Sequence, residues 1–392
     1  MNIFNLNKII FFLFFVMMFV SSNQKAYGIT DPLSLPNNKF GVHILSPDEL
    51  LDAAKLINTS GGDWGYVTIP IQASDKNIVK WQSFMDEAKK LHLIPIIRLA
   101  TNGDYFNTAV WQKPSNEDIL DFANFLNSLV WPTQNKYIII FNEVNRGDEW
   151  GGVPDPADYA HILSYSVSIF KSRDQNFYIL SSGMDNAAAN VPRKFINQYI
   201  FFRLMDQAIP GIFNQIDGIS SHPYPNPGFS QSPLVDTEKS IFSFKYEKQL
   251  INSLANKKLP IFITETGWQQ NANLNDTLLA QFYKSAFDSA WSDSSIVAIT
   301  PFLLRAGAGA FTQFSLLDLQ GNPTERYNTI KNYPKIKGFP VVLKTKGVLG
   351  DEIIRYPLPV KRFSFYENHK NIDVYSKTNA GKLFLKWLLN VR

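Results

Sequence analysis

Tyr137–Asn145 reads YIIIFNEVN, five apolar residues running without interruption into Asn142 and Glu143. A short apolar run rich in β-branched and aromatic residues, bounded by polar ones, is what a strand covered on both faces looks like. The same form recurs in Pro260–Trp268, PIFITETGW, where the apolar run gives way to Thr264, Glu265 and Thr266. Working outward from these two, six further runs stand at comparable spacing: Gly41–Leu45, Trp64–Ile71, Leu93–Ala100, Phe177–Ser182, Ile216–His222 and Ile296–Leu304. Between them lie helix start signals. Ser46-Pro47-Asp48-Glu49 offers a cap, a proline at the first helical position and a capping-box glutamate. Ser115-Asn116-Glu117-Asp118 precedes apolar residues at helical spacing, Asp155-Pro156 opens Tyr159–Phe170, and Asn275-Asp276 opens Leu278–Trp291. Apolar strands alternating with amphipathic helices predict a parallel sheet covered on both faces. Eight such units over residues 40–335 predict a closed (β/α)8 TIM barrel, for which about 250 residues is typical. An open doubly wound sheet is the rival, but no GxGxxG or GxxxxGK[ST] turn follows the first strand.

The flanks differ from the barrel. Ile9–Val20 is an apolar run behind Lys8 and ahead of the polar SSNQKAYG, which predicts a secretory signal peptide over residues 1–28, and hence a secreted or envelope protein. The alternative is an uncleaved membrane anchor, although the run is short of the about 20 residues that span a bilayer. The barrel is expected over 29–335 and a small β-rich appendage over 336–392. Within the latter, Gly338–Leu343, Glu352–Leu358, Phe363–Tyr366, Ile372–Tyr375 and Lys382–Leu388 look like short strands. Residues 341–392 carry 10 basic and 4 acidic residues, a local excess best read as a solvated surface.

Composition narrows the chemistry. Of the 392 residues, 45% are hydrophobic and 14% aromatic, which excludes a disordered chain. A net charge of +4 is too small to argue for nucleic acid as a partner. With no cysteine there is no disulfide, thiolate metal site or thiol nucleophile. Five histidines without paired-ligand spacing argue against a transition-metal site, and no cofactor motif is present.

In a barrel of this kind the reactive groups sit at the C-terminal strand ends. Glu143 and Glu265 each end an apolar strand, where an unpaired carboxylate is costly to bury. One such residue is as well explained by a structural ion pair; two at facing strand ends favour function. Paired carboxylates across a barrel mouth suit glycoside cleavage, one attacking the anomeric carbon while the other protonates the leaving oxygen. An Asn-Glu pair ending strand 4 with a Glu ending strand 7 resembles glycoside hydrolase clan A, the retaining (β/α)8 superfamily. That resemblance implies Glu143 as acid/base, Glu265 as nucleophile, and Asn142 as the residue that bonds the sugar 2-hydroxyl. It covers residues 40–335 as ordered strands, and only the strand ends match closely. NEV with ETGW is similar to family 17, and a barrel with an appended β-region is similar to families 5 and 39.

Strand 6 ends DGISSHPYP, similar to the His-x-Tyr of many clan members, which implies Tyr224 bonding the nucleophile and His222 orienting the acid/base or the sugar. The alternative for His222 is a satisfied histidine in a proline-rich loop. Arg98, ending strand 3, is the natural cation for a buried Glu265, or for another barrel carboxylate. Trp268 and Trp150 are expected as sugar-stacking rings, and Phe302 stands where many clan members place a tryptophan at the end of strand 8. Asp148 and Glu149 are read as solvated loop charges or subsite contacts. The expectation is thus a secreted retaining β-glycosidase acting on a β-linked polysaccharide or oligosaccharide. The alternatives are a non-hydrolytic glycan-binding or envelope scaffold barrel and a transglycosylase using the same two glutamates.

Overall fold

The computed structural model describes residues 28–102, 110–307 and 309–342. The expected signal segment lies outside the described residues except for Gly28, as does the expected appendage beyond 342. Eight strands follow in chain order: β1 Gly41–His43, β2 Gly65–Gln72, β3 Leu93–Ala100, β4 Lys136–Ile139, β5 Phe177–Leu180, β6 Ile219–Ser221, β7 Ile261–Ile263 and β8 Ile296–Ile299. Each pairs in parallel with its sequence neighbour, β1 to β5 in one ladder and β6 to β8 in another. Single bridges close the ring, Leu180 with Gly218 between β5 and β6, and Phe40 with Ile299 between β1 and β8. The predicted (β/α)8 barrel is therefore the observed fold.

The helices are α1 Leu50–Ile57, α2 Ile78–Lys90, α3 Asn116–Ser128, α4 Pro156–Arg173, α5 Gln198–Ala208, α6 Ser243–Leu254, α7 Asp276–Asp288 and α8 Glu325–Asn332. Helices α3, α4 and α7 begin where the sequence signals place them, and the signal at Ser46–Glu49 opens a 3-10 turn that leads into α1. At α3 the Ser115 hydroxyl accepts from the Asp118 N–H at 3.2 Å while the Asp118 carboxylate accepts from the Ser115 N–H at 2.8 Å. Asp155 caps α4 by accepting from the Ala157 and Asp158 N–H groups, with Pro156 at the position whose missing donor costs nothing. Helix α7 stops at Asp288, short of the expected Trp291, and a 3-10 turn over Ala290–Ser292 follows.

Two apolar layers result. One large core fills the space between strands and helices. A second occupies the barrel interior, where Tyr66, Ile94, Ile96, Tyr137, Ile139, Tyr178, Leu180 and Phe262 meet. The strand period of two carries Ile94 and Ile96 on to Arg98 along the same inward face. At the N-terminal end of the barrel, Thr30 and Asn135 exchange hydrogen bonds, and the Phe339 and Gln134 N–H groups donate to Pro36 and Val341. Residues 337–341 thus pass under the barrel, and no ladder forms over the described part of the strand expected at Gly338–Leu343. Phe339 directs its N–H to Pro36, and Pro340 has none to give. Among the described residues no helix is long and apolar enough to cross a membrane.

The β4 ladder ends at Ile139, although the apolar run continues to Phe141. The reason is backbone geometry: Phe141 and Glu143 have φ of 65° and 32°, a region that side-chain-bearing residues seldom occupy. The turn is held from outside by Tyr159 of α4, whose hydroxyl donates to the Ile140 carbonyl at 3.0 Å and accepts from the Ser182 N–H at 2.6 Å. Tyr159→Phe removes both bonds in a buried setting. It should cost about 1–3 kcal/mol of stability in a denaturant titration with fluorescence detection, the cost of orphaned buried polar groups. A variant as stable as the parent would show that this bridge does not hold the strand ends.

Candidate active site

At the C-terminal mouth of the barrel, the ends of β3, β4, β6 and β7 bring Arg98, Asn142, Glu143, His222, Tyr224 and Glu265 together. The Arg98 guanidinium, from β3, donates through Nη1 to Glu265 Oε1 and to Asn142 Oδ1, the latter at 2.6 Å. Tyr224 donates to Glu265 Oε2 at 3.1 Å. His222 places Nδ1 3.2 Å from Glu143 Oε1 and 4.0 Å from Glu265 Oε2. An oxygen of Glu143 and one of Glu265 lie within 4.8 Å of each other. All six side chains are largely withdrawn from solvent.

The surroundings drive the two carboxyls in opposite directions. Burial pushes Glu143 well above the ordinary 4.5, with the charge of Asp185 adding to it and Arg146 opposing it. Burial acts on Glu265 in the same sense. It is outweighed by His222, Arg98, His43 and the Tyr224 hydroxyl, which hold this carboxyl below the ordinary value; the imidazoles contribute charge only when protonated, the guanidinium at every pH. Burial also drives both imidazoles toward the neutral form, His43 to about 3. The guanidinium of Arg98 is therefore the standing positive charge beside Glu265.

Glu143, His222 and Glu265 would be the donor set for any metal ion here. The fit is poor, because Arg98 and Tyr224 already donate to both oxygens of Glu265, and Arg146 Nε stands 3.8 Å from Glu143 Oε2. A cation would have to displace guanidinium groups already in place.

Three site expectations change on seeing the structure. Trp268 is fully buried: its indole N–H donates to the Gln231 carbonyl at 2.8 Å and its ring packs against Phe282, Tyr283 and Trp291. Trp150 is likewise buried, donating to Asp158 and packing against Phe141 and Tyr159. Neither has a ring face free for a sugar; after the strand ends, the alternation that orients strand side chains no longer applies. Glu149, read as a solvated charge or a subsite contact, is turned inward and accepts from Asn142 Nδ2 at 2.7 Å. Phe302 sits at the mouth in an aromatic cluster with Tyr224, Phe229, Phe311 and Phe314, edge-on to His43 at 5.2 Å.

Other residues of the site were missed by sequence reasoning. His43, at the end of β1, lies 3.5 Å from Glu265 Oε1; a histidine interrupting the apolar run FGVHIL was the signal. Arg146 pairs with Asp148 and Asp185, each at 2.8 Å, and nothing in its loop position announced this.

No family model matches the chain, and no curated protein sequence does either. Its fold is similar to that of a family 39 glycoside hydrolase from Bacteroides cellulosilyticus WH2, with a TM-score of 0.54 and 18% identity over 78% of this chain. The chain spans 65% of the length of that structure. It is also similar to GH5_18 structures. That from Streptomyces cattleya, in complex with GlcNAc, gives a TM-score of 0.52 and 13% identity, covering 76% of this chain and 79% of the other. That from Bifidobacterium longum subsp. infantis gives 0.51 and 12%, covering 77% and 81%. At these identities the likeness is one of fold: the chain is a (β/α)8 barrel of the kind that carries glycoside hydrolases of families 39 and 5.

Proposed function

We propose that the protein is a retaining glycoside hydrolase that cleaves β-glycosidic bonds of a polysaccharide or oligosaccharide, with Glu265 as nucleophile and Glu143 as acid/base. The observation that carries this reading is the pair of carboxyls, with oxygens within 4.8 Å, whose surroundings hold one ionised and the other protonated. Retaining enzymes keep their two carboxyls about 5–5.5 Å apart, whereas inverting ones need roughly 6.5–9.5 Å to seat a water.

The proposed reaction runs in two steps. Glu265, ionised and aimed by Arg98 and Tyr224, attacks the anomeric carbon while Glu143 gives its proton to the departing glycosidic oxygen. A covalent glycosyl–Glu265 ester results. Glu143, now a carboxylate, then takes a proton from water as the water attacks the same carbon, restoring both groups and the anomeric configuration. Asn142 is the partner for the sugar 2-hydroxyl, His222 orients Glu143, and Phe302 borders the bound sugar. An extracytoplasmic location rests on the apolar run Ile9–Val20 alone.

Azide separates the two roles. Glu265→Ala should abolish turnover of aryl β-glycosides and regain it with azide as the α-glycosyl azide. Glu143→Ala should retain turnover of substrates with good leaving groups and give the β-glycosyl azide. The opposite stereochemistry would mean the roles are reversed, and a wild type with no more turnover than Glu265→Ala on a panel of aryl glycosides and glucans would refute hydrolysis.

The pH profile of kcat/KM provides a second check. Glu265 must be ionised and its carboxyl is held low by Arg98 and Tyr224, so the acid limb should lie below the ordinary glutamate value of 4.5. Glu143 must be protonated and its carboxyl is raised, so the rate should fall as pH rises through a value well above 4.5. A profile without the alkaline limb contradicts Glu143 as the acid.

A further inference from the structure

The mouth contains a buried carboxyl that the two-glutamate reaction leaves without a task. The 3-10 turn Gly147–Glu149 folds Glu149 back over Asn142, seven residues earlier in the chain. The turn is tightly built: the Trp150 and Gly152 N–H groups both donate to the Gly147 carbonyl, and a Cβ at Gly147 would stand 2.7 Å from the Gly152 oxygen. Its result is a glutamate side chain only 11% exposed, with Oε1 4.0 Å from Arg146 Nε and Oε2 2.7 Å from Asn142 Nδ2. Burying a carboxyl costs free energy, and Arg146, the cation beside this one, is shared with Glu143, Asp148 and Asp185. Burial, the largest cause, raises this carboxyl above its ordinary value, and an ionised Glu143 would raise it further.

Asn142 is gripped at both ends of its amide. Arg98 donates to Oδ1 at 2.6 Å and Glu149 accepts from Nδ2 at 2.7 Å. A flipped amide would set its NH2 against Arg98, which has donors only, so the Arg98 end fixes which way the amide faces. One bond to Arg98 would still leave the amide plane free to rotate about that contact; the second fixes it. The Nδ2 group has two hydrogens, of which Glu149 takes one.

We propose that Glu149 is a positioning residue that locks the Asn142 amide so that its second N–H meets the 2-hydroxyl of the sugar at the point of cleavage. This rests on the glycosidase reading above. Contacts to that hydroxyl strengthen in the transition state, so loss of the lock acts on kcat more than on KM.

The test compares an aryl β-glycoside that the wild type hydrolyses with its 2-deoxy analogue. Glu149→Ala, and Glu149→Met, which keeps side-chain length without the acceptor, should lower kcat on the 2-hydroxy substrate by about 10–100-fold with KM within about 3-fold. On the 2-deoxy substrate both variants should stay within about 3-fold of wild type. Glu149→Gln retains an oxygen acceptor and a neutral head group, and should stay within about 3-fold of wild type on both. The Asn142→Ala/Glu149→Ala double variant should be no slower than Asn142→Ala, since Glu149 acts only through Asn142. Equal losses on both substrates, or losses that add in the double variant, would overturn the positioning role while leaving the glycosidase reading intact. A wild type inactive on every glycoside would overturn both.

Discussion

The buried pair between Arg98 and Glu265 is the constraint around which the mouth of the barrel is arranged. Removing one partner of such a pair leaves an uncompensated charge, a penalty of about 3–5 kcal/mol, so the two strand ends that carry them must stay in register. The guanidinium does more than neutralise. The same Nη1 that donates to Glu265 also donates to Asn142, which ties the ends of β3, β4 and β7 to one planar group. Tyr224 then occupies the second oxygen of Glu265. A carboxylate with both oxygens bonded and a fixed cation beside it is held ionised and oriented by the protein itself.

Glu143 lives a few ångströms away under the opposite regime. Its neighbours Asp148 and Asp185 add negative charge, Arg146 divides its attention among several carboxylates, and burial removes water. Neutral His222 stands between the two glutamates without bringing a charge to either. Two residues of one type thereby take opposite protonation states because one has a dedicated cation and the other shares a crowded one. The unusual backbone at Phe141 and Glu143 belongs to the same picture: the chain leaves the ladder at Ile139 in order to present Glu143 at the mouth, and Tyr159 anchors it from behind.

The strands and the strand-end residues were legible in the sequence because both rest on short-range rules. An apolar run of a few residues marks a buried strand, and a polar residue ending it marks the rim of the barrel; Arg98, Glu143 and Glu265 were found in that way, and Asn142 was singled out by the family resemblance. Beyond the strand ends the rules lapse. Trp150 and Trp268 lie in loops, and whether an aromatic ring there faces the mouth or the helices is set by tertiary packing, here by Tyr159 on one side and Trp291 on the other. Glu149 shows the same limit from the polar side. Its inward turn depends on the close approach of Gly147 to Gly152, which composition alone does not announce.

The proposed division of labour between the two glutamates has its sharpest check in trapping a glycosyl-enzyme. A 2-deoxy-2-fluoro β-glycoside with a good leaving group slows breakdown of the glycosyl-enzyme more than its formation, and peptide mapping by mass spectrometry then locates the sugar. One fluoroglycosyl adduct per chain is expected, on the peptide containing Glu265 and at that residue. An adduct on Glu143, or hydrolysis that proceeds with no covalent adduct at either glutamate, would contradict it.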